Sequence, residues 1–219
     1  MDNITPNSSF FCENGLFGAW PTQEQVDKLE KWGVNVFVNL ANDNEKKVTP
    51  YTTSPDTEVI SYPIHDRSIP RDKIRFCSLV IEVCRRLSLG KKVYIHCKGG
   101  HGRAGMLVAA VLAYKNKISA IEAIGLTTKF HSERKNMRKK WRDIGAPQTS
   151  DQKHFVSSLF PTHDTEEDLS PFKDIETEVE FYLNFFLRQT LLGKISGPRG
   201  SKLMKLREKL FSSWSRNFF

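Results

Sequence analysis

The fold is decided by a strand, a tight loop and a helix that follow one another in Val93-Tyr94-Ile95-His96-Cys97-Lys98-Gly99-Gly100-His101-Gly102-Arg103-Ala104-Gly105. The first three residues are β-branched or aromatic and predict a buried strand. The glycines favour a tight loop, and the apolar residues from Ala104 to Tyr114 predict a helix at its end. This order of elements is the local context that a phosphate-binding loop requires.

The loop places Cys97 six residues before Arg103. Glycines let several backbone N–H groups converge on one centre, and the N-terminus of the following helix adds its dipole, so an anion is favoured there. The same field favours the ionised thiolate, which is the nucleophilic form of cysteine. The planar guanidinium of Arg103 can hold two phosphate oxygens. We therefore predict Cys97 as a nucleophile, with a phosphate cradle formed by Lys98, Gly99, Gly100, His101, Gly102 and Arg103.

Preceded by His96, this Cys-x5-Arg loop resembles the signature loop of the protein-tyrosine-phosphatase superfamily, and it is most similar to that of the dual-specificity members. The resemblance implies an α/β fold in which helices flank a central, mostly parallel sheet. It also implies a phosphoric monoester hydrolase that acts through a phosphocysteine intermediate, foremost a dual-specificity or tyrosine protein phosphatase, on a phosphorylated protein or another phosphomonoester. Neither a metal nor a cofactor is implied. His96 would support the cysteine loop through hydrogen bonds.

Such chemistry needs a proton donor for the leaving oxygen. The segment from Tyr62 to Pro70 resembles the acid loop of the family and places Asp66 about thirty residues before the nucleophile. We predict Asp66 as the general acid. Asp72 is the nearest rival, although its position suits the first turn of a helix, and Asp43 is a more distant candidate.

Gln148 and Gln152 lie where related enzymes use a glutamine to place the hydrolytic water. Both residues also suit a simpler role, in which they cap and decorate the helix that is predicted after Thr149. The sequence leaves this choice open.

Ala104 departs from the family pattern, in which a Ser or Thr hydroxyl directly after the arginine supports the departing thiolate. One lost hydrogen bond to a charged group is worth about 1.5 to 3 kcal/mol, which predicts a roughly ten- to hundredfold slower second step. The segment Gly102-Arg103-Ala104 also resembles the phosphatases of regenerating liver. We therefore expect slow turnover rather than an inactive enzyme.

Lys98 and His101 make the loop similar to the cationic loops of tensin-type phosphoinositide phosphatases, which implies a highly anionic substrate. Alternatively, both side chains face solvent and only reinforce the positive potential. Phosphoinositides, inositol phosphates and RNA 5′-phosphates therefore remain alternative substrates. A phosphate-binding pseudophosphatase, or an interaction protein that retains the fold, is the alternative that Ala104 leaves open.

Hydrophobic periodicity and capping signals predict the remaining elements. Strands are expected at 34–40 and 58–62, helices at 22–32, 71–87, 119–130, 131–141 and after 149, and a turn at 16–21. A dual-specificity-phosphatase-like catalytic domain is expected at 1–160, followed by a helical extension at 161–219. Because residues 164–180 are acidic and residues 194–216 are basic and amphipathic, the extension predicts a protein or acidic-membrane partner for residues 175–219.

The composition sets further limits. A net charge of +8 favours an anionic partner. The four cysteines lack the spacing of a zinc site or a disulfide framework, and no stretch approaches the roughly 20 apolar residues of a membrane span. The N-terminus shows no secretory-signal pattern, so we expect an intracellular, cytoplasmic location. Compact phosphatases of this kind occur in cells and in large DNA viruses, and the sequence distinguishes neither the source nor the oligomeric state.

Overall fold

The computed structural model describes residues 4–42, 44–46, 48–160 and Phe172. Its strands within these ranges are β1 (Ser8–Cys12), β2 (Gly15–Gly18), β3 (Val34–Asn39), β4 (Glu58–Ser61) and β5 (Lys92–His96). Its helices are α1 (Gln23–Trp32), α2 (Lys73–Ser88), α3 (Arg103–Asn116), α4 (Ala120–Ser132), α5 (Lys139–Ile144) and α6 (Ser150–Ser157).

The strands form one sheet in the order β1-β2-β5-β3-β4. Only the β1–β2 pair is antiparallel among the described strands, and the other neighbours run parallel, which confirms the predicted α/β class. The last residue of β5, His96, pairs with Gly18 at the end of β2 and with Asn39 at the end of β3. Three strands therefore end at one edge of the sheet, where parallel α/β sheets bind their ligands.

Helices cover both faces of the sheet. A small cluster joins α1, through Val26 and Leu29, to Phe37 and Tyr94, and a larger cluster packs α2, α3 and α6 on the other face. Helix α3 is buried along nearly its whole length, from Arg103 to Ala113, because it is apolar on all sides. A fully enclosed helix fixes the position of the loop that precedes it.

Local signals placed most elements correctly. Thr22 and Gln25 form the expected capping box of α1, and Gly33 ends that helix at a φ of 105°. Ser119 caps α4, and Thr149 with Gln152 forms a second capping box at α6.

Two predicted elements are wrong. The first half of the expected turn at 16–21 is strand β2, which is short and bounded by glycines but pairs with both β1 and β5. The expected helix at 131–141 does not form as such, since α4 ends at Ser132 and α5 begins only at Lys139. The backbone N–H of Asn136 donates to the Pro6 carbonyl (3.0 Å), so the chain between these helices is held against the segment before β1.

The predictions for the tail lie outside the described residues, with the exception of Phe172. This side chain is buried, and its ring centroid lies 4.8 Å from that of Tyr114, near the end of α3, and 5.1 Å from that of Phe160. The division into 1–160 and 161–219 remains a prediction. In the described part of the chain, no helix has the length and apolarity needed to cross a membrane.

Candidate active site

Cys97 begins the loop that joins β5 to α3, and its side chain is almost fully buried. The backbone N–H of Gly100 donates to Sγ of Cys97 (3.3 Å), an interaction that favours a thiolate. Gly100 has a φ of +73°, and a Cβ there would lie 2.3 Å from the carbonyl carbon of Gly18. Only glycine fits this position, so the end of β2 sets the shape of the loop.

The N-terminus of α3 faces the same loop. Its N-cap is Gly102, which makes no side-chain hydrogen bond to the first turn. The unpaired N–H groups and the positive end of the dipole are therefore available to an anion.

Arg103 is buried, with 1% of its side chain exposed, and protein groups engage both of its terminal nitrogens. Nη1 donates to Oε1 of Glu45 and to the carbonyl oxygen of Ile64 (2.8 Å). Nη2 donates to Oε2 of Glu45 (3.1 Å) and to Oδ1 of Asp66 (2.9 Å). The Nε–H is the fifth N–H donor of the guanidinium, beside the four on these terminal nitrogens.

Glu45 is a component of the site that the sequence did not identify. Burial opposes the ionisation of its carboxyl, but the hydrogen bond and the charge of Arg103 outweigh burial and lower its pKa. The backbone N–H of Asn42 also donates to Oε1 of Glu45 (3.1 Å), so the carboxylate has a second partner. Glu45 therefore orients the guanidinium through a carboxylate that is itself hydrogen-bonded to the backbone.

Replacing Glu45 with alanine is expected to lower kcat/KM for an aryl phosphate by about 10- to 100-fold, because Arg103 loses the group that fixes its plane. Steady-state kinetics measures the change. Glu24→Ala, which removes an exposed carboxylate on α1, is the control without an expected effect. Faster hydrolysis by the Glu45 variant would instead make Glu45 a competitor of the substrate.

Asp66 lies in the expected acid loop, and its ion pair with Arg103 places its carboxylate at the site. The next residue, Arg67, has a φ of 62°, and the N–H of Ser68 donates to the carbonyl of His65 (3.0 Å). The side chain of Asp66 is 59% exposed, so it can meet a substrate that enters from solvent. Of its rivals, Asp72 caps α2 by accepting from the N–H of Arg75 (3.0 Å), and Asp43 lies outside the described residues.

Gln152 joins the acid loop to the cysteine loop. It is fully buried, its Nε2 donates to the carbonyl of Ser68 (3.0 Å), and its Oε1 accepts from the N–H of Thr149 (3.2 Å). The same side chain lies against Gly102, where a Cβ would approach Oε1 to 2.7 Å. The capping role is thus confirmed for Gln152, whereas Gln148 is half-buried and precedes the cap. The placement of a water molecule by either residue stays a prediction.

His96 differs from the expectation. Its Nε2 lies 2.7 Å from the hydroxyl of Tyr51, and its Nδ1 has no partner among the described residues. The ring also stacks on Tyr94, and burial lowers the pKa of His96 to about 3, so it is neutral. The imidazole thus supports the site through Tyr51 and packing rather than through hydrogen bonds to the cysteine loop.

His101 does not add charge to the loop. Its Nδ1 lies 2.7 Å from Nε2 of His131, and its ring stacks on Trp141 at a centroid distance of 4.6 Å. Burial and the nearby Arg134 lower the pKa of His101 to about 4. His101 therefore neither carries a positive charge in the loop nor faces solvent, so both interpretations of this residue are wrong. Lys98 remains available as a cation.

The buried histidines predict a loss of stability in mild acid. The pKa values of His96, His101 and His131 are lowered to about 3, 4 and 2, mainly by burial. The unfolded chain, with histidine pKa values near 6.5, therefore binds more protons below about pH 6.5. The contribution of these histidines to the free energy of unfolding is fully present above that pH. It is lost as the pH falls, by up to about 1.4 kcal/mol per pH unit for each histidine.

Thermal denaturation between pH 7 and pH 5 tests this prediction. His101→Gln should flatten the pH dependence of Tm, whereas the same change at exposed His154 should leave it as in the wild type. An unchanged slope in His101→Gln would contradict the assignment.

The remaining cysteines are structural. Cys77 and Cys84 are buried, as predicted, and burial raises the pKa of each thiol to about 12. Cys12 is half-buried, and burial likewise raises its pKa. Cys97 is thus the thiol that the fold places against an anion-binding loop.

A buried cysteine and arginine on one loop, joined by a carboxylate from a second loop, define the class of Cys-x5-Arg phosphate-binding domains. Residues 19–154 match the family described as "PTP-SAK: Swiss Army Knife protein, DSP-PTPase phosphatase domain". Because this match spans more than half of the chain, the chain belongs to that family, and the suspected membership in the protein-tyrosine-phosphatase superfamily is confirmed.

Similar sequences occur in invertebrate iridescent viruses. "Putative tyrosine phosphatase 197R" of Invertebrate iridescent virus 6 is 38% identical over 165 residues, which cover 73% of this chain and 56% of the viral protein. "Putative tyrosine phosphatase 067L" of Invertebrate iridescent virus 3 is 35% identical over 158 residues, which cover 71% of this chain and 65% of that protein. The chain therefore spans less than two thirds of the length of these relatives.

Solved structures share the fold. The structure titled "Crystal structure of Tk-PTP in the active form" has a TM-score of 0.57 and 28% identity, over 70% of this chain and 96% of that chain. "Crystal Structure of PTPMT1 in complex with PI(5)P" has a TM-score of 0.53 and 21% identity, over 68% and 94%.

Proposed function

We propose that this protein is a phosphoric monoester hydrolase that acts through a phosphocysteine intermediate, foremost as a dual-specificity or tyrosine protein phosphatase. The observation that carries the proposal is the convergence of Cys97, Arg103 and Asp66, in which the arginine of the cysteine loop holds the carboxylate of the acid loop. Family membership and the names of the viral relatives support it.

Substrate capture follows from the donors of Arg103. The phosphate dianion takes the Nε–H and replaces Asp66 at Nη2. Glu45 keeps its contacts with both terminal nitrogens, so the guanidinium does not reorient. The released Asp66 then lies beside the bound phosphate, where the leaving oxygen departs.

The first chemical step forms the Sγ–P bond and breaks the bond from phosphorus to the leaving oxygen. Protonated Asp66 donates its proton to that oxygen, and the alcohol or phenol departs. In the second step water attacks phosphorus, the Asp66 carboxylate accepts a proton from that water, and the Sγ–P bond breaks. Inorganic phosphate and the Cys97 thiolate are the products, and no metal ion or other cofactor takes part.

The second step lacks one stabilising group. Ala104 is fully buried at the start of α3 and offers no hydroxyl to the departing sulfur. Installing serine is expected to raise kcat by about 10-fold or more, because a hydrogen bond to a charged group is worth about 1.5–3 kcal/mol. Stopped-flow release of the phenol should show a burst in the wild type and a smaller one in Ala104→Ser. Steady release without a burst in the wild type would refute slow dephosphorylation.

A phospholipid is the second candidate substrate. The chain is 30% identical over 105 residues to "Phosphatidylglycerophosphate phosphatase PTPMT2" of Arabidopsis thaliana, a match that covers 44% of this chain and 43% of that protein. Inositol phosphates and RNA 5′-phosphates carry the same terminal phosphate group and remain candidate substrates. The neutral His101 weakens the argument for a polyanionic substrate, since Lys98 alone supplies the extra loop cation.

A substrate panel tests the proposal. Purified full chain is assayed for phosphate release from phosphotyrosine and phosphothreonine peptides, phosphatidylglycerophosphate, a phosphoinositide and 5′-triphosphate RNA, with Cys97→Ser as the blank. The proposal expects phosphopeptides to give the highest kcat/KM, while preference for a lipid selects the second candidate. Vanadate binding without turnover of any substrate would identify a phosphate-binding pseudophosphatase.

A further inference from the structure

Arg134 is a buried cation without a carboxylate partner in the described part of the chain. Only 1% of the residue is exposed. Its Nε donates to Oγ of Ser9 (3.3 Å), its Nη2 donates to the carbonyl of Phe17 (3.2 Å), and its guanidinium lies 4.4 Å from the centre of the Phe17 ring. The third nitrogen, Nη1, has no partner among the described residues. An uncompensated buried charge is costly, so an anion nearby would be strongly favoured.

The guanidinium contacts the end of β2, against which the cysteine loop packs. Phe17, which accepts from Nη2, pairs with Ile95 of β5, and the next pair along these strands is Gly18 with His96. The backbone of Gly18 is the wall against which Gly100 packs. From the other side, His101 of the loop contacts His131, whose carbonyl oxygen lies 3.5 Å from the backbone N of Arg134.

The titratable neighbours of Arg134 are neutral, with two exceptions. Burial and Arg134 itself lower the pKa values of His101 and His131, and burial raises the pKa of Tyr94. Burial also lowers the pKa of Arg134, but only to about 10, so it stays protonated. The exceptions are Arg142 of α5, whose Nη2 donates to the Arg134 carbonyl (3.0 Å), and Cys97, whose charge acts on the guanidinium.

We propose that Arg134 is a positioning residue whose buried charge stabilises the Cys97 thiolate and the phosphate bound in front of it. The inference rests on the proposed function, since it assigns a second cation to the same anion site. Arg103 would contact the phosphate directly, and its charge is balanced by Glu45 and Asp66. Arg134 would act from the end of β2 without contact. In the described part of the chain, only an anion in the cysteine loop would balance the charge of Arg134.

The test compares Arg134→Gln with Arg134→Lys in the full chain. Alkylation of Cys97 by iodoacetamide is followed by peptide mass spectrometry as a function of pH, and tungstate affinity is measured by protection against the reagent. A unit charge within about 10 Å at an effective dielectric of 20 shifts an ionisation by about one pH unit. Arg134→Gln should raise the alkylation midpoint by that amount and weaken tungstate about tenfold, and Arg134→Lys should restore both. A folded Arg134→Gln with the wild-type midpoint would overturn the proposal.

A second pair of variants covers the case in which Arg134→Gln does not fold. Ser9→Asp places a carboxylate beside Nε of Arg134 and neutralises it in place, while Ser9→Asn adds similar bulk without charge. Ser9→Asp should raise the midpoint as Arg134→Gln would, and Ser9→Asn should not. Equal midpoints in the two Ser9 variants would reject the role of the charge. Neither the alkylation midpoint nor tungstate protection depends on turnover. A protein that shows these shifts but hydrolyses no phosphomonoester would therefore contradict the proposed function and leave the role of Arg134 intact.

Discussion

Replacing Cys97 with serine is expected to abolish hydrolysis of every phosphomonoester, with a loss of at least about 10⁴-fold in kcat, because a serine hydroxyl in this loop stays protonated near neutral pH and is a poor nucleophile. The fold should survive, since the change removes no apolar contact larger than one sulfur atom. Binding of tungstate should stay within about tenfold of wild type, because the backbone N–H groups and Arg103 remain. Phosphate release and tungstate titration measure the two effects.

Cys84→Ser is the matched control for this experiment. It makes the same exchange at a buried thiol on α2, whose Sγ lies 3.9 Å from the carbonyl of Val111, far along α3 from the cysteine loop. It should lower stability without lowering kcat. Residual hydrolysis by Cys97→Ser at the wild-type rate would remove Cys97 from the mechanism and leave the loop as a binding site.

Replacing Asp66 with asparagine is expected to lower kcat/KM, which reports the first chemical step, by about 10²- to 10³-fold for a phenyl phosphate, because no group then protonates the leaving phenolate. An activated aryl phosphate, whose phenolate leaves readily, should lose less. The pH profile of kcat/KM should also change. The limb at high pH, where the rate falls as the general acid loses its proton, should disappear. Steady-state kinetics across pH on both substrates provides the measurement.

Asp72→Asn distinguishes Asp66 from its nearest rival. Asparagine caps a helix as well as aspartate does, so the cap of α2 at the N–H of Arg75 is kept and only the carboxylic acid is removed. Its kcat should match that of the wild type. A larger loss in Asp72→Asn than in Asp66→Asn would transfer the acid role to Asp72.

The parts of the site that the sequence predicted are those with local signals. Glycines at fixed offsets between Cys97 and Arg103, an apolar helix after them and a Pro-bounded loop around Asp66 are readable within a few residues of chain. Capping boxes at Thr22 and Thr149 likewise gave the starts of α1 and α6, because both partners lie within one helical turn.

The parts that it missed depend on contacts between distant segments. Glu45 lies 58 residues from Arg103 in a polar loop that carries no motif, and its role appears only when β3 and β5 pair. Tyr51 meets His96 for the same reason. Strand β1 (SSFFC) lacks a period-2 alternation, and the four-residue strand β2 begins and ends with glycine, so their identity comes from the neighbouring strands.

The basic segment 134–142 shows a different limit. No local signal distinguishes its Arg and Lys residues from one another, yet Arg134 is buried and Lys139 and Lys140 are exposed. Charge counting likewise treated His101 as a loop cation, whereas its contacts with His131 and Trp141 keep it neutral. Burial makes His101 neutral and leaves the charge of Arg134 without a carboxylate partner among the described residues, and burial is a property of the assembled fold.

The positive φ of Arg67 bears on how firmly the acid loop holds Asp66 in place. A non-glycine residue in the left-handed region costs about 1–2 kcal/mol, so the acid loop is held against a backbone preference for another conformation. Two described contacts offset this cost, the pairing of Asp66 with Arg103 and the hydrogen bond from Gln152 to Ser68. When phosphate replaces Asp66 on Arg103, one of the two is withdrawn, and the hydrogen bond from Gln152 to Ser68 is the described contact that still holds Asp66 beside the phosphate.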